Sequence, residues 1–534
     1  MRPRVEGHDH RWATLVVLCL SVVIVNLDNT ILNVALPTLV RALHASSSEL
    51  QWIVDSYAMV FAGLVLVGGS LADRFGRKRF FLIGLTVFAA GSVGGALSDS
   101  VTMLIACRAV MGAGAALTMP STLSIINDVF RDPKERGRAI SAWAGAAGLG
   151  VAIGPITGGL LLTRFWWGSV FLVNVPIVLV AVAGAIALVP DSKNPAAQPP
   201  DPVGAVLSIA GLGLLLWTII EAPTDGWTSA RVMGAGLASL ATLGGFVVWE
   251  ARSRHPMLKL EFFRDRRFSI AAAAESLGIF GLFGMLFVQT QFLQFDLGYS
   301  ALQAGLRILP TAGLLLVSAA LSPLAVRFIG AKVTASAGLA VIAGGLWQIS
   351  AASTVTTTYG QVLPGLLLIG VGAGLLMPTA TNSLVGSVSQ GDAGVGSATN
   401  VVAIQVGGAL GVAVIGSILA TRYQNHLTTA LAGRHLPTAV THVILGSFGG
   451  ALQVATKAGG VTGILLAHAA RAAFMSGVAA SLAGGALVAL VGTILVLAFL
   501  PSRASRPSPD PGAATSIPPT PRRPEEPSEL IRPG

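Results

Sequence analysis

The sequence predicts an all-α polytopic membrane protein with fourteen transmembrane helices. Of its 534 residues, 53% are hydrophobic and only 11% are charged, and the mean hydropathy is +0.74. A hydrocarbon core of about 30 Å is crossed by roughly 20 apolar residues in a helix, and such stretches recur along the whole chain. Because the alternating pattern of membrane barrel strands is absent, helices are expected throughout.

Glycines, prolines and charged patches divide the chain into separate apolar segments. The first segment is longer than the apolar region of a signal peptide and lacks a small-residue cleavage site, so we interpret it as a retained span. The fourteen spans are expected at 12–36, 51–72, 80–98, 103–126, 138–161, 167–189, 203–221, 231–249, 268–293, 305–326, 332–352, 358–385, 398–421 and 477–500.

Two stretches near the C-terminus are not predicted to span the membrane. The connection 422–476 is long, Gly-rich and partly apolar, which predicts an external loop with an interfacial helix or, as the alternative, a re-entrant pair. The segment 501–534 is rich in Pro, Ser and Arg and is expected to be a disordered cytoplasmic tail.

The distribution of basic residues predicts the orientation of the chain. With the N-terminus taken as cytoplasmic, 25 of the 34 Lys and Arg fall in cytoplasmic segments and 7 in external ones. Such an asymmetry places both termini in the cytoplasm, which requires an even number of spans. The formal charge of +10 therefore reflects one membrane face and does not indicate nucleic-acid binding.

A short cytoplasmic turn between spans two and three reads "GSLADRFGRKRFFL", residues 69–82. An ordinary basic loop would explain the cations but not an Asp, two glycines and three basic residues in this order. The string resembles the hallmark loop of the major facilitator superfamily, G-x-L-a-D-R-x-G-R-K. The resemblance implies a breakable charge latch at the cytoplasmic face, with Arg74 and Arg77 compensating Asp73 at a helix C-terminus. The implied gate-loop residues are Gly69, Asp73, Arg74, Gly76, Arg77 and Lys78.

Span five contains "GLGVAIGPITGG", in which Gly150, Gly154 and Gly158 recur every four residues. Glycines at this spacing form one smooth stripe that a neighbouring helix can approach closely, while Pro155 removes a helical hydrogen bond beside it. The spacing alone predicts a helix packing site. The full string, including Gly159, resembles the antiporter motif G-x-x-x-G-P-x-x-G-G of proton-coupled drug exporters, which implies export rather than uptake.

Span one carries polar residues in "NLDNTILNVALP", residues 26–37. At about 100° per residue, Asn29, Asn33 and their polar neighbours share one face and Asp28 points to nearly the opposite side. A helix that is polar on two faces is expected to border an aqueous cavity. Asp28 lies at a depth close to that of Arg108 in span four, so the two are predicted to pair when Asp28 is ionised and to separate on protonation. Alternatively, Asp28 anchors span packing and Arg108 reaches the outer surface.

This string also resembles the span-one signature of the 14-span drug:proton antiporter family, l-D-x-T-x-v-N-V-A-L-P. The resemblance implies that Asp28 handles substrate and protons. "QFLQFDLGYSALQAGLRILP", 291–310, supports it with Ala301 where Pro is usual, and "NVVAIQVGGALGVAV" in span thirteen supports it with Ile404 where Arg is expected. The role of that Arg is therefore in doubt here.

Span nine contains a second buried acid. Glu275 lies about 10 Å into the span from the cytoplasmic side, and Gln289 falls within about 40° of the same face. Glu275 is predicted to be either a second protonation or cation-binding point, with Gln289 beside the same cavity, or a residue that is paired locally.

The resemblance implies a major facilitator fold, with two six-helix halves and two inserted central helices. The expected organisation is a cytoplasmic N-terminus at 1–11, a first bundle at 12–189, a linker with two extra helices at 190–267 and a second bundle at 268–500, followed by the tail.

The function expected from these features is proton-coupled antiport that exports drugs or other amphipathic small molecules across the cell membrane. No phosphate loop, H-E-x-x-H motif or clustered metal ligands occur in the sequence, so an ATP-driven pump and an enzyme are disfavoured. The expected partners are a small-molecule substrate, protons and lipid, with no cofactor, no metal and no required oligomer. The alternative is a proton-coupled symporter or a lipid or metabolite transporter of the same superfamily.

Overall fold

The computed structural model describes residues 8–194, 199–388, 393–433 and 436–501, and in this part of the chain every regular element is a helix. The tail expected at 501–534 lies outside the described residues apart from Pro501. The first half contains α1 (His8–Leu43), α2 (Ser47–Phe75), α3 (Arg77–Ala96), α4 (Val101–Val129), α5 (Pro133–Arg164), α6 (Ser169–Leu172), α7 (Asn174–Leu188), α8 (Pro202–Asp225) and α9 (Ala230–Arg252).

The second half begins with a 3₁₀ turn, Leu260–Arg264, before the long helices resume. These are α10 (Arg266–Gln291), which continues into a π turn at Phe292–Asp296, then α11 (Ala301–Ala352), α12 (Tyr359–Val385), α13 (Ala393–Ala430), α14 (Thr438–Gly446), α15 (Phe448–Ala458) and α16 (Gly460–Phe499).

The prediction of fourteen spans is confirmed once α11 is divided. Thirteen helices in the described residues are long and apolar enough to cross a membrane, and α11 is counted among them as one helix of 52 residues. At 1.5 Å per residue such a helix would be about 78 Å long, more than twice a bilayer core. Gly330 interrupts it with φ 82° and ψ 157°, a conformation open essentially to glycine alone, so two spans meet there.

The helix bounds differ from expectation after span twelve. The helix predicted at 398–421 continues to Ala430, and the last helix begins at Gly460 rather than at 477. The stretch "GVTGILLAHAARAAFMS" is mostly apolar and favours helix, so it extends α16 at its N-terminal end. What remains of the predicted external loop carries the two short helices α14 and α15.

We call outer the end of the bundle with the loops after α1, α3 and α5, and cytoplasmic the opposite end, following the orientation predicted from the cations. The short helix α15 covers part of this end. The Phe448 ring stacks on Phe474 of α16 at 4.4 Å and meets Phe295 edge-on at 6.1 Å. Gly449 packs against Phe295 and Val40 of α1, so α15 contacts both the first and the second bundle.

Several contacts between the two bundles lie at the outer end. The Gln294 amide donates to the Val34 carbonyl at 2.9 Å, which joins the π turn to α1. The Ser417 hydroxyl of α13 lies 3.5 Å from Gln51 of α2. On the cytoplasmic side, by contrast, α5 exposes Gly145. The bundle is therefore closed at its outer end.

The inserted helix α8 contacts both bundles. Its Ile219 carbonyl accepts a hydrogen bond of 2.6 Å from Ser417 of α13, and its Glu221 accepts one of 3.1 Å from Trp52 of α2. The other inserted helix, α9, packs on α8, where Ser239 donates to the Gly211 carbonyl at 2.9 Å. The inserted pair thus covers the junction between α2 and α13.

Candidate functional site

The structure brings Asp28 of α1 and Arg108 of α4 into direct contact. One carboxylate oxygen of Asp28 accepts a hydrogen bond from the Arg108 guanidinium, and the other accepts one of 2.9 Å from the Asn174 amide of α7. Asp28 is 0% exposed and Arg108 is 1% exposed. Both carboxylate oxygens therefore have a donor, as a buried charge requires.

Two further contacts hold Arg108 among the helices around it. Its Nε donates to the Ile53 carbonyl of α2 at 3.1 Å, and its guanidinium lies 4.5 Å from the centroid of the Tyr57 ring. A guanidinium over an aromatic face gains electrostatic stabilisation that is larger when the pair is desolvated. The alternative that Arg108 reaches the outer surface is therefore wrong in this structure.

The site differs from expectation in its access to water. Span one was expected to border an aqueous cavity that Asp28 faces, yet the Asp28 carboxyl is enclosed among α1, α2, α4 and α7 of the first bundle. Asn26 and Asn29, one turn apart on α1, are half-buried. In this conformation these two asparagines, and not Asp28, form the partly exposed polar stripe of the helix.

The other polar residues of α1 are satisfied by their own helix. The Asn33 amide donates to the Asn29 carbonyl at 2.9 Å, and the Thr30 hydroxyl lies 3.1 Å from the Asn26 carbonyl. Short polar side chains that bond back to the preceding turn lie close to their own backbone, so they project little from the helix. This face of α1 lies against α5.

The glycine stripe of α5 packs directly on this face of α1. A Cβ at Gly150 would lie 2.6 Å from the Val23 carbonyl oxygen, and one at Gly158 would lie 2.7 Å from the Ile31 side chain. A Cβ at Gly154 would overlap the Thr30 hydroxyl. The stripe thus permits backbone contact between α1 and α5, the packing role that its spacing predicts.

The end of the same motif makes contact with the second bundle. A Cβ at Gly159 would lie 2.5 Å from the Leu302 Cα in α11, and Gly305 of α11 packs against the Pro155 carbonyl. The motif therefore joins α5 to α1 on one side and to α11 on the other. Ala301 is the first residue of α11, a position that Pro favours because its missing N–H has no helical partner.

The cytoplasmic turn joins several elements through Arg77. Its Nε donates to Asp73 at 2.7 Å, and its guanidinium also pairs with Asp128 at the end of α4. Lys78 donates to the Ile186 carbonyl of α7 at 2.9 Å. The turn itself depends on Gly76, whose φ of 125° disfavours any side chain.

Two gate-loop residues differ from their expected roles. Arg74, expected to compensate Asp73, is exposed and lies over the adjacent Phe75 ring at 5.7 Å. The ion pair with Asp73 is made by Arg77 instead. Gly69 makes only an ordinary approach to Pro120, whereas the neighbouring Gly68 packs against the Ala116 carbonyl of α4.

Replacing Arg77 by Ala is expected to lower transport strongly. The change leaves Asp73 and Asp128 facing each other without their shared cation, which loosens α2, α3 and α4 at the cytoplasmic end. Arg79→Ala, which removes an exposed cation from the same turn, is the matched control. Initial efflux rates at equal membrane levels measure both, and equal rates for the two variants would contradict this role.

Glu275 lies in the second bundle, well apart from Asp28. It is 1% exposed, and the Thr381 hydroxyl of α12 lies 2.9 and 3.1 Å from its two carboxylate oxygens. The Asn400 amide of α13 donates to the same hydroxyl at 3.3 Å. Glu275 thus has neutral local partners, in contrast to the cation that faces Asp28.

Gln289 does not share the surroundings of Glu275. It lines a pocket inside the second bundle with residues of α11, α12 and α16, among them Ile349, Val362 and Val478. The two positions are fourteen residues apart, which separates them by about 21 Å along the helix. A common face on a helix was therefore not enough to place Gln289 beside Glu275.

Sequence reasoning missed three residues near the site. Asn174 holds Asp28, and Tyr57 lies under Arg108. Asp55 of α2 is 0% exposed, and neither of its carboxylate oxygens has a hydrogen-bond partner among the described residues. An acidic residue within an apolar span is itself a functional signal, so Asp55 could have been found in "QWIVDSYAMV".

Comparison with known proteins identifies the family. The family model of the Major Facilitator Superfamily matches residues 18–412. The chain belongs to this superfamily. It is 35% identical over 485 residues to the multidrug efflux pump LfrA of Mycolicibacterium smegmatis, covering 91% of this chain and 95% of LfrA. It is also 32% identical over 487 residues to the methyl viologen resistance protein SmvA of Salmonella typhimurium, covering 90% and 97% of the two chains.

A solved structure agrees with this membership at the level of the fold. A bacterial homologue of the human lysosomal transporter Spinster, in an inward-facing and unoccupied conformation, matches with a TM-score of 0.63 and 17% identity. The match covers 94% of this chain and 100% of that one. Superfamily membership and the many apolar helices make the protein a multi-pass membrane transporter.

Proposed function

We propose that this superfamily member is a proton-coupled antiporter that exports drugs or other amphipathic small molecules by alternating access. The observation that carries the proposal is the buried Asp28–Arg108 pair at the centre of the first bundle. Its ionisation state changes the contacts among α1, α4 and α7. A carboxyl group that exchanges a guanidinium for a proton is a means of coupling proton binding to helix movement.

The proposed cycle follows from these contacts. While Asp28 is ionised, Arg108 and Asn174 hold α1 against α4 and α7. Protonation removes the charge attraction and frees the guanidinium, so the position of α1 against its neighbours changes. Because the glycine stripe joins α1 to α5, and Gly159 joins α5 to α11, such a change is passed to the second bundle. One charge moved down a potential of 100 mV supplies about 2.3 kcal/mol.

Two further observations favour export. The names of LfrA and SmvA associate those relatives with multidrug efflux and with methyl viologen resistance. The full antiporter string lies at the junction of α1, α5 and α11. In this proposal the protein acts in the cell membrane with both termini cytoplasmic, takes substrate from the cytoplasm or the lipid, and uses the proton gradient without a cofactor or an oligomeric partner.

Everted membrane vesicles provide the test. Acidified vesicles that contain the protein are expected to lose luminal protons when methyl viologen or the fluorescent cation rhodamine 6G is added, because antiport exchanges one for the other. A pH-sensitive dye follows the lumen, and vesicles without the protein are the control. Accumulation of either compound with no luminal alkalinisation would contradict antiport, and proton movement in the same direction as the compound would favour the symporter.

A further inference from the structure

Arg307 is a cation in the outer part of α11 whose contacts among the described residues are neutral. Its Nη1 donates to the Gln303 carbonyl at 3.3 Å, and its Nε is buried without a hydrogen-bond partner. It forms no ion pair in the described part of the chain, where Asp296 of the preceding π turn pairs with Arg471. A cation within a span is costly and normally has an anionic or carbonyl partner. Arg307 has the carbonyl but lacks the anion.

Two tyrosines fix the position of the Arg307 guanidinium. The guanidinium carbon lies 3.7 Å from the centroid of the Tyr299 ring and 5.5 Å from that of the Tyr359 ring. The Tyr359 hydroxyl also donates to the Arg307 carbonyl at 2.9 Å, which joins the start of α12 to α11. A guanidinium held over aromatic faces keeps its plane, and therefore its in-plane N–H donors, in one orientation. The group is thus pre-organised to bind an anion.

Arg307 lies at the border between the contact of α11 with α12 and the apolar outside of α11. On one side, about 40° around the helix, the Thr311 carbonyl packs on Gly370 of α12. About 40° to the other side is Leu321, which is 52% exposed, and the adjacent Leu306 is 47% exposed. Outward-facing leucines of a membrane protein contact lipid chains. The half-buried Arg307 therefore lies beside lipid.

The depth of Arg307 matches the level of the lipid headgroups. It follows Ala301, the first residue of α11, by six positions, so its backbone lies about 9 Å from the outer end of the helix. The bond to Gln303, one turn nearer that end, directs the guanidinium outward. The headgroup layer is about 5 to 8 Å thick on each side of the hydrocarbon core. The guanidinium therefore reaches the layer that contains the lipid phosphates, where tyrosines are also enriched.

We infer that Arg307, held by Tyr299 and Tyr359, binds the phosphate of an anionic phospholipid in the outer leaflet. The planar donors of a guanidinium match two phosphate oxygens, and the acyl chains lie along the exposed leucines of α11. A phosphatidylglycerol fits better than a phosphatidylcholine because its headgroup has no ammonium group to offset the phosphate charge. The lipid supplies the anion that the described residues do not, and it braces the outer ends of α11 and α12. This inference does not depend on the proposed transport cycle.

Native mass spectrometry measures the lipid preference. Delipidated protein in detergent is given dioleoyl-phosphatidylglycerol and dioleoyl-phosphatidylcholine at equal concentrations. The wild type is expected to bind the first phosphatidylglycerol more tightly than phosphatidylcholine. Arg307→Gln is expected to lose this preference and to bind phosphatidylglycerol about fivefold more weakly, the effect of one cation near a charged membrane surface. Arg164→Gln removes an exposed cation from the outer end of α5 and is the matched control, with an unchanged preference.

A second measurement locates the lipid on the wild-type protein, so it does not require a folded variant. In proteoliposomes, a phosphatidylglycerol with a photoreactive headgroup is expected to label peptides from 299–310 and 358–364. No labelling there would overturn the inference, as would wild-type lipid preference in Arg307→Gln, which would make Arg307 a structural contact only. Displacement of the photoreactive lipid by an equal concentration of inorganic phosphate would assign the site to a free anion and overturn the lipid. Neither measurement uses transport, so a failed vesicle experiment leaves this result standing.

Discussion

Replacing Asp28 by Asn is expected to abolish proton-coupled export and to destabilise the protein. The amide keeps the size of the side chain but leaves the Arg108 guanidinium buried without an anion. Removing one partner of a buried ion pair costs about 3 to 5 kcal/mol, a large share of the stability of a protein. Proton flux is lost for a second reason, since Asn does not titrate.

A double variant separates stability from coupling. Asp28→Asn combined with Arg108→Gln removes both charges, so most of the lost stability should return. Coupling should not return, because no titratable group remains at this position. Thermal unfolding in detergent measures the first property, and substrate-induced proton flux in proteoliposomes measures the second.

Two results would contradict this account of Asp28. If the double variant exported substrate against a gradient in exchange for protons, the pair would be structural, as the packing alternative holds. If Asp28→Asn unfolded at the same temperature as the wild type, the guanidinium would have found another anion or water. The geometry around Ile53 and Tyr57 would then need to change.

Much of the fold was predictable because lipid imposes simple rules. A span must satisfy its backbone within itself and must be about 20 residues long, so apolar runs and cation counts sufficed for the number of helices. The same rules do not predict the residues at which each helix begins and ends. Residues 460–476 extend α16 beyond the predicted span, and Gly330 joins two spans without a loop.

The site was predictable where two residues of opposite charge lie at the same depth in their spans. Asp28 and Arg108 were paired from their depths in antiparallel spans, and the structure forms that contact. Neighbours from unrelated parts of the chain were not foreseeable by the same means. Asn174 reaches Asp28 across 146 positions of sequence, and nothing in "FLVNVPIVLV" says which helix it meets. Gln289 shows the converse limit, because helix phase gives a direction but not the neighbour that lies there.

Replacing Gly154 by Val is expected to reduce export to near the background level. The new side chain would overlap the Thr30 hydroxyl and lie 3.0 Å from the Leu27 carbonyl oxygen even at its Cβ. Overpacking a close helix contact costs about 1 to 3 kcal/mol and displaces backbone. Here the displaced helices are α1, which carries Asp28, and α5, which contacts α11 through Gly159.

The same chain provides a matched control in Gly145→Val. Gly145 lies in the same helix, yet a Cβ there would meet nothing within 4 Å, so the change tests helix propensity without the overlap. Initial rates of rhodamine 6G efflux at equal membrane levels measure both variants. Removing the Thr30 hydroxyl, by combining Thr30→Ala with Gly154→Val, should restore part of the efflux rate that Gly154→Val loses. Equal rates for Gly154→Val and Gly145→Val would show that the contact between α1 and α5 does not limit transport.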